Sequence, residues 1–211
     1  MGKSSLTTDQ VRDMMVAVAD KIIASEPILT DADRALGDGD HGIGMARGMG
    51  AAKEALASKE FACPGKVFVA VGTAMMSSMG GASGAVFGTL FRAGGKGMGD
   101  AADFGPAELA ALLREGTDQV MARGGAKPGD KTMVDALVPA AEKAAESIAL
   151  PLDEALSAVA AAAAAGRDAS EGMVATMGRA KTLGEKSLGK PDAGAVSVAI
   201  ICEAMAEYAA A

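Results

Sequence analysis

Apolar residues recur along this chain at helical spacing from one end to the other, and no convincing two-residue alternation of a half-buried strand appears. Val11, Met14, Met15, Val18, Ile22 and Ile23 form an i, i+3, i+4, i+7 stripe behind Thr8, which suits an N-cap. Pro27 is expected to end that helix. Further helices are expected from Ile43 to Ser58, from Pro64 to the Gly80-Gly81 pair, and from Ser83 to the glycines at 94–99. Pro106 suits the first turn of a fifth. A sixth starts at Asp130, with Pro139 kinking it or absorbed in its middle. Pro151 opens a seventh, running to about Thr176. Ala195 opens an eighth, which runs to the C-terminus; its first residues, Ala195 to Cys202, are the most strand-like stretch but continue into a helix-favouring tail. Eight helices joined by short turns predict an all-α fold, an antiparallel up-and-down bundle or barrel, as a single domain over residues 1–211. In such a winding alternate turns meet at one end, so those near residues 40, 82, 128 and 185 are expected to share one site.

The composition fits helices better than sheets. Half of the 211 residues are hydrophobic, yet 3% are aromatic and there is no Trp, so Ala, Val, Leu, Ile and 14 Met must fill the core. Small side chains let helices approach closely. The net charge of −7, without a basic stripe, argues against a nucleic-acid partner. Cys63 and Cys202 sit in apolar surroundings and are expected to be buried free thiols. The first residues do not resemble a signal peptide, and the apolar runs at 160–165 and 195–202 fall short of the roughly 20 residues that cross a bilayer. A soluble, cytoplasmic protein with no membrane partner is expected.

Chemistry concentrates in Asp33-Arg34-Ala35-Leu36-Gly37-Asp38-Gly39-Asp40-His41-Gly42. Three carboxylates beside the only histidine repel one another unless a cation intervenes. Asp oxygens are hard ligands that suit Mg²⁺ or Ca²⁺ better than zinc, and Mg²⁺ held this way commonly completes its shell with water and substrate phosphates. A solvated acidic turn is the alternative reading of the same residues. Gly37 to Gly42 also fits G-x-G-x-x-G, but no strand precedes it and its acidity would repel a pyrophosphate, so a dinucleotide-binding loop is rejected. His41 beside such a loop is expected to orient a carboxylate or touch a phosphate.

Three more glycine-rich turns carry candidates. Gly80-Gly81-Ala82-Ser83-Gly84 opens a helix, whose free N–H groups and Ser83 hydroxyl suit phosphate; it could equally be a close-packing turn. Gly129-Asp130-Lys131-Thr132 is not a P-loop, since Asp130 interrupts the Gly-Lys-Thr order, but Asp130, Thr132 and Met133 can still shape a pocket wall. The stretch 178–194 is long for a bundle connection and holds Arg179, Lys181, Lys186 and Lys190 in an otherwise acidic chain. It reads either as a lid over a nucleotide or as a solvated loop.

Taken in order, Gly37-Asp38-Gly39-Asp40-His41-Gly42, Gly80-Gly81-Ala82-Ser83-Gly84 with Phe87-Gly88-Thr89, Gly129 to Asp135, and Gly178-Arg179-Ala180 through Gly184-Glu185-Lys186-Ser187 to Asp192-Ala193-Gly194-Ala195 resemble the nucleotide-binding L subunit of dihydroxyacetone kinase over nearly the whole chain. The resemblance implies an eight-helix antiparallel barrel holding ADP or ATP at one end through two Mg²⁺. It implies Asp33, Asp38 and Asp40 as metal ligands. It implies His41, Gly42, Ile43 and Gly44 at the start of the nucleotide site, Ala82 and Ser83 at the phosphates, and Gly124, Thr132, Met133, Arg179, Asp192, Ala193 and Gly194 along the rest. Some relatives carry Asn where this chain has Gly44, so a side-chain contact there is lost or taken over by backbone.

The resemblance further implies a separate K subunit that holds the sugar covalently through a histidine and supplies the acid/base groups. In one branch bound ADP is recharged by a phosphotransferase M subunit fed from phosphoenolpyruvate; in the other ATP exchanges freely. An unfused chain favours the first, with an ATP-dependent kinase for dihydroxyacetone or a related short ketose as the alternative. No residue here reads as a catalytic base for the sugar. The non-enzymatic alternative is an all-helical adaptor or ligand-binding module with a metal-stapled turn.

Overall fold

The computed structural model describes residues 3–211; Met1 and Gly2, inside the expected 1–211 unit, lie outside it. Among the described residues nine α-helices follow one another: α1 (Thr8–Ala24), α2 (Glu26–Arg34), α3 (His41–Ala57), α4 (Pro64–Ser78), α5 (Gly81–Gly97), α6 (Pro106–Gly124), α7 (Val134–Glu146), α8 (Leu152–Ala169) and α9 (Ala193–Ala210). Eight of them form a closed ring. Each of α3 to α9 packs on its sequence neighbour, and α1 completes the circle between α3 and α9. The short α2 lies outside this order, against α3 and α9. The described residues contain no strand, only an isolated antiparallel bridge between Leu6 and Phe104.

The expected barrel is therefore present, with one helix more than expected. Pro27 does not end α1; it sits in the first turn of α2, where its missing N–H costs nothing. Ser25 makes the break, its hydroxyl donating to the Lys21 carbonyl at 2.8 Å. As a result Asp33 lies in the last turn of a helix rather than in a loop.

α3 and α5 each start two residues early, at His41 and Gly81, and three more boundaries are set by side-chain hydrogen bonds. α7 starts at Val134, not Asp130, because the Asp130 carboxylate is drawn back to the Lys127 N–H (2.8 Å) and to the Thr176 hydroxyl (2.6 Å). α8 stops at Ala169, where the Ser170 hydroxyl donates to the Arg167 carbonyl at 2.6 Å and a short 3-10 turn, Ser170–Gly172, follows. α9 begins at Ala193, two residues early, with the Asp192 carboxylate accepting from the Ala195 N–H at 2.8 Å as N-cap. Pro139 is absorbed inside α7.

The core is built as the composition demands. Met14, Met15, Met45, Met49, Met75 and Met205 fill it, with Phe68 between Phe91 (ring centroids 6.4 Å) and Phe104 (5.5 Å). Glycine sets the α4–α5 spacing. A Cβ on Gly72 would lie 2.5 Å from the Gly88 carbonyl oxygen, and one on Gly65 2.5 Å from that of Gly95. The free thiols Cys63 and Cys202 are both buried, and burial pushes the Cys202 thiol up to about 12. Among the described residues α9 alone is long and apolar enough to cross a membrane; it packs as a core helix between α1 and α8.

Candidate functional site

The four glycine-rich segments do meet at one end of the barrel. They enclose a cavity of about 560 Å³ lined by Asp33, Asp38, Asp40, His41, Ile43, Gly44, Ala82, Ser83, Thr132, Arg179, Asp192 and Ala193. An adjoining lobe shares Asp33, His41, Ala82, Ser83 and Thr132 and adds Gly124, Met133 and Gly194. Of the residues named from sequence for this wall, Asp130 and Gly42 are in neither lining; the Asp130 carboxylate is turned to the Lys127 N–H and the Thr176 hydroxyl, and Gly42 is taken up by packing. It is buried in the first turn of α3, where a Cβ would lie 2.3 Å from both the Glu26 carbonyl oxygen and the Thr30 hydroxyl. Its place is explained by the close crossing of α2 and α3.

Asp33 closes α2, Asp38 follows in the turn and Asp40 is the N-cap residue of α3. One oxygen from each lies within 4.8 Å of the others. That spacing and that all-oxygen donor set fit a hard divalent cation. The Asp33 carboxylate is held in place by the His41 backbone N–H, which donates to it at 3.2 Å. Arg179, carried by the segment between α8 and α9, contacts the Asp38 carboxylate and lies 3.9 Å from that of Asp40.

The His41 ring is bonded to two hydroxyls rather than to a carboxylate. Nε2 is 2.8 Å from the Ser197 hydroxyl and Nδ1 is 3.4 Å from that of Ser83; the ring lies 5.9 Å from Phe87. Burial lowers its pKa, against the opposing pull of Asp33 and a backbone hydrogen bond to Ala193. A neutral, pinned imidazole therefore braces α3 against α5 and α9, and the carboxylate is oriented by the backbone instead.

Beside the carboxylates α5 presents its N-terminus. Gly80 and Gly81 have φ of 73° and 61°, a left-handed pair that glycine alone enters readily, and both line the cavity where α5 begins. Ala82 and Ser83 lie in that first turn. A helix start of this kind offers N–H groups and a positive dipole end to an anion.

The third wall is the turn before α7. Asp135 accepts from the N–H groups of Gly129 (2.6 Å) and Thr132 (2.7 Å), which fixes the loop that carries Thr132 and Met133. Asp192 closes the far side. Burial, with the Asp135 charge adding to it, raises its carboxyl to about 7; the Ala195 and Gly194 amides and the Lys131 ammonium pull the other way.

Sequence reasoning missed Ser197, Lys131 and Asp135. Ser197 left a signal, being the one hydroxyl in the apolar run 195–202. Lys131 left none, because nothing local marks a lysine that turns inward.

Fold and cavity together define an all-α barrel protein with an acidic, glycine-lined site at its loop end. The chain belongs to the DAK2 domain family, whose domain matches residues 35–207. It is 36% identical to the ADP-binding subunit DhaL of the PEP-dependent dihydroxyacetone kinase of Escherichia coli, over 96% of this chain and 97% of that one. It is 38% identical to a D-erythrulose kinase of Mycolicibacterium smegmatis over 90% of this chain, but spans only 34% of that enzyme. The crystal structure of the dihydroxyacetone kinase from C. freundii in complex with AMP-PNP and Mg²⁺ superposes with a TM-score of 0.72 at 29% identity, covering 93% of this chain and 33% of that one.

Proposed function

We propose that this chain is the nucleotide-binding subunit of a kinase for dihydroxyacetone or a related short ketose, acting as one unit over residues 1–211. The observation that carries the reading is the convergence of Asp33, Asp38 and Asp40 with the α5 N-terminus and Arg179 on one cavity. The carboxylates would hold Mg²⁺, two ions by the family resemblance, and the cation would supply the charge neutralisation that a phosphate needs beside three acids. Ala82 and Ser83 would receive phosphate oxygens at the helix start, and Arg179 would face the transferred group. Ile43, Gly44, Gly124, Thr132, Met133 and Asp192 to Gly194 would line the rest of the nucleotide site.

The chain's contribution is positioning and electrostatics. Its one histidine is pinned between Ser83 and Ser197, and burial lowers its pKa. The family resemblance assigns the sugar and its acid/base groups to a separate K subunit. Two donors fit this reading. The relative matched over nearly its whole length is named as a PEP-dependent, ADP-binding subunit, which favours bound ADP recharged by a phosphotransferase M subunit. Free ATP is the second reading, and the 38% identity to an erythrulose kinase supports a related short ketose as the alternative substrate. Either donor places the proposed reaction in the cytoplasm.

Reconstitution tests it. The chain alone should not phosphorylate dihydroxyacetone, and addition of a K subunit should give activity. Dependence on phosphoenolpyruvate and the phosphotransferase proteins identifies the first donor, and activity with ATP alone the second. Turnover of ATP and ketose by this chain alone would refute the division of labour.

A further inference from the structure

Lys131 is 2% exposed, and it is the single non-glycine residue with a positive φ (60°) among those described. Lysine is rarely buried without a purpose that repays desolvation. Its ammonium donates to two backbone carbonyls, that of Ser170 at 2.5 Å and that of Lys190 at 2.6 Å. These residues are the two ends of the strap between α8 and α9. The same strap carries Arg179. Its middle is tied to the neighbouring residue, since Thr176 donates its hydroxyl to the Asp130 carboxylate at 2.6 Å and its N–H to the Asp130 carbonyl at 3.3 Å.

We propose that Lys131 is a positioning residue whose ammonium clasps both ends of the strap 170–192 and so holds Arg179 against the Asp33–Asp38–Asp40 cluster. The remaining contacts agree. The Asp192 N–H donates to the Ser170 hydroxyl at 3.0 Å and the Gly189 N–H to the Glu171 carbonyl at 2.9 Å, so the strap is cinched into a loop at the point the ammonium occupies. Burial lowers the Lys131 pKa, and the nearby Asp192, Glu171 and Asp135 oppose that fall. Without the ammonium the Ser170 carbonyl keeps only the Met173 N–H, the Lys190 carbonyl loses its donor, and the strap loses a side chain that bonds to both of its ends. The turn from Asp130 to Thr132 is fixed independently by Asp130 and Asp135, so it serves as the anchor rather than the moving part.

Hydrogen exchange on the nucleotide-free protein tests the clasp without calling on the proposed function. In Lys131→Met the amides of Ala175, Thr176, Gly189 and Asp192 should exchange on the order of tenfold faster, with those of α1 and α4 unchanged. The guanidinium ¹⁵N signals of Arg179 should move towards those of a free arginine. Unchanged strap exchange, or acceleration spread evenly over the barrel, overturns the proposal. The second arm does rest on the nucleotide-site reading. Mg²⁺–ADP affinity should fall about tenfold in Lys131→Met but by less than about threefold when the same change is made in Arg179→Ala, because the clasp acts through Arg179. Additive losses overturn that coupling. Failure of the wild-type chain to bind ADP would sink the nucleotide reading and leave the exchange result to judge the clasp. Should Lys131→Met not fold, Lys131→Gln, which keeps one donor, should show a smaller acceleration in the same amides. Loss of fold in both variants counts against a role confined to the strap.

Discussion

The Arg179 guanidinium rests against the Asp38 carboxylate, so a cation paired with the three-acid cluster comes from a residue 141 positions further along the chain. Arginine occupies ground that a metal would need. Both side chains are partly exposed, so the pair is worth little by itself, within about 1 kcal/mol. Arg179→Gln should therefore tighten Mg²⁺ binding in the absence of nucleotide by about two- to fivefold, and weaken binding of the Mg²⁺–nucleotide complex. Calorimetric titration with Mg²⁺ alone and then with Mg²⁺–ADP reads both. Losses in both titrations would mean that Arg179 supports the cluster rather than competing for it.

The three carboxylates should separate by their structural burden. Asp38 and Asp40 are exposed, so Asp38→Ala and Asp40→Ala should abolish metal-dependent nucleotide binding and leave helical circular dichroism and melting temperature nearly unchanged. Asp33 also accepts the His41 N–H at the start of α3. Asp33→Ala should lose the same binding and in addition about 1 kcal/mol of stability. Unfolding of the Asp38 or Asp40 variant would make the cluster structural.

Two glycines of the same helix turn should behave oppositely. Gly42→Ala drives a methyl into the Glu26 carbonyl and the Thr30 N–H, 2.3 and 2.7 Å from the new carbon, and should cost more than about 2 kcal/mol in chemical denaturation. Gly44→Ala meets nothing within 4 Å and should be neutral or stabilising by up to about 1 kcal/mol. Any loss of nucleotide affinity in Gly44→Ala then reports on the cavity alone.

Asp192 should make stability fall as pH rises. Its carboxyl is raised to about 7 in the fold from an unfolded value of 3.8, so between about pH 4 and 7 the unfolded chain gives up a proton that the folded chain keeps. The stabilisation is full below pH 4 and lost on passing pH 7, about 4 kcal/mol in all. Asp192→Asn should flatten this dependence in denaturant titrations of the metal-free protein at pH 5 and pH 8. An equal slope in both proteins would show that the carboxyl is ionised throughout.

Much of the barrel was legible because each long helix carries its own periodic stripe and its own Pro or Gly boundary, as at Pro64, Pro106 and Gly80-Gly81. The extra helix α2 was not legible. Its nine residues are too few to show a period, and Pro27 reads equally as a stop or a start until the Ser25 hydroxyl is seen to bond back to Lys21. The ends of α7 and α8 were missed for a related reason. They are set by Asp130 and Ser170, whose partners Thr176 and Asp192 lie 46 and 22 residues away. The acidic cluster was legible from local density of charge. The inward turn of Lys131 and the pinning of His41 by Ser197 depend on contacts 59 and 156 residues apart, which no local pattern encodes.

The account stands or falls on whether the carboxylate end of the barrel holds a nucleotide through a divalent cation. Isothermal titration of the purified chain with ADP, once with Mg²⁺ and once with the metal chelated, measures this directly. Saturable ADP binding with Mg²⁺ that disappears on chelation, and that Asp38→Ala abolishes, is the expected result. No heat at millimolar ADP in the presence of Mg²⁺, or binding indifferent to the metal, would contradict it.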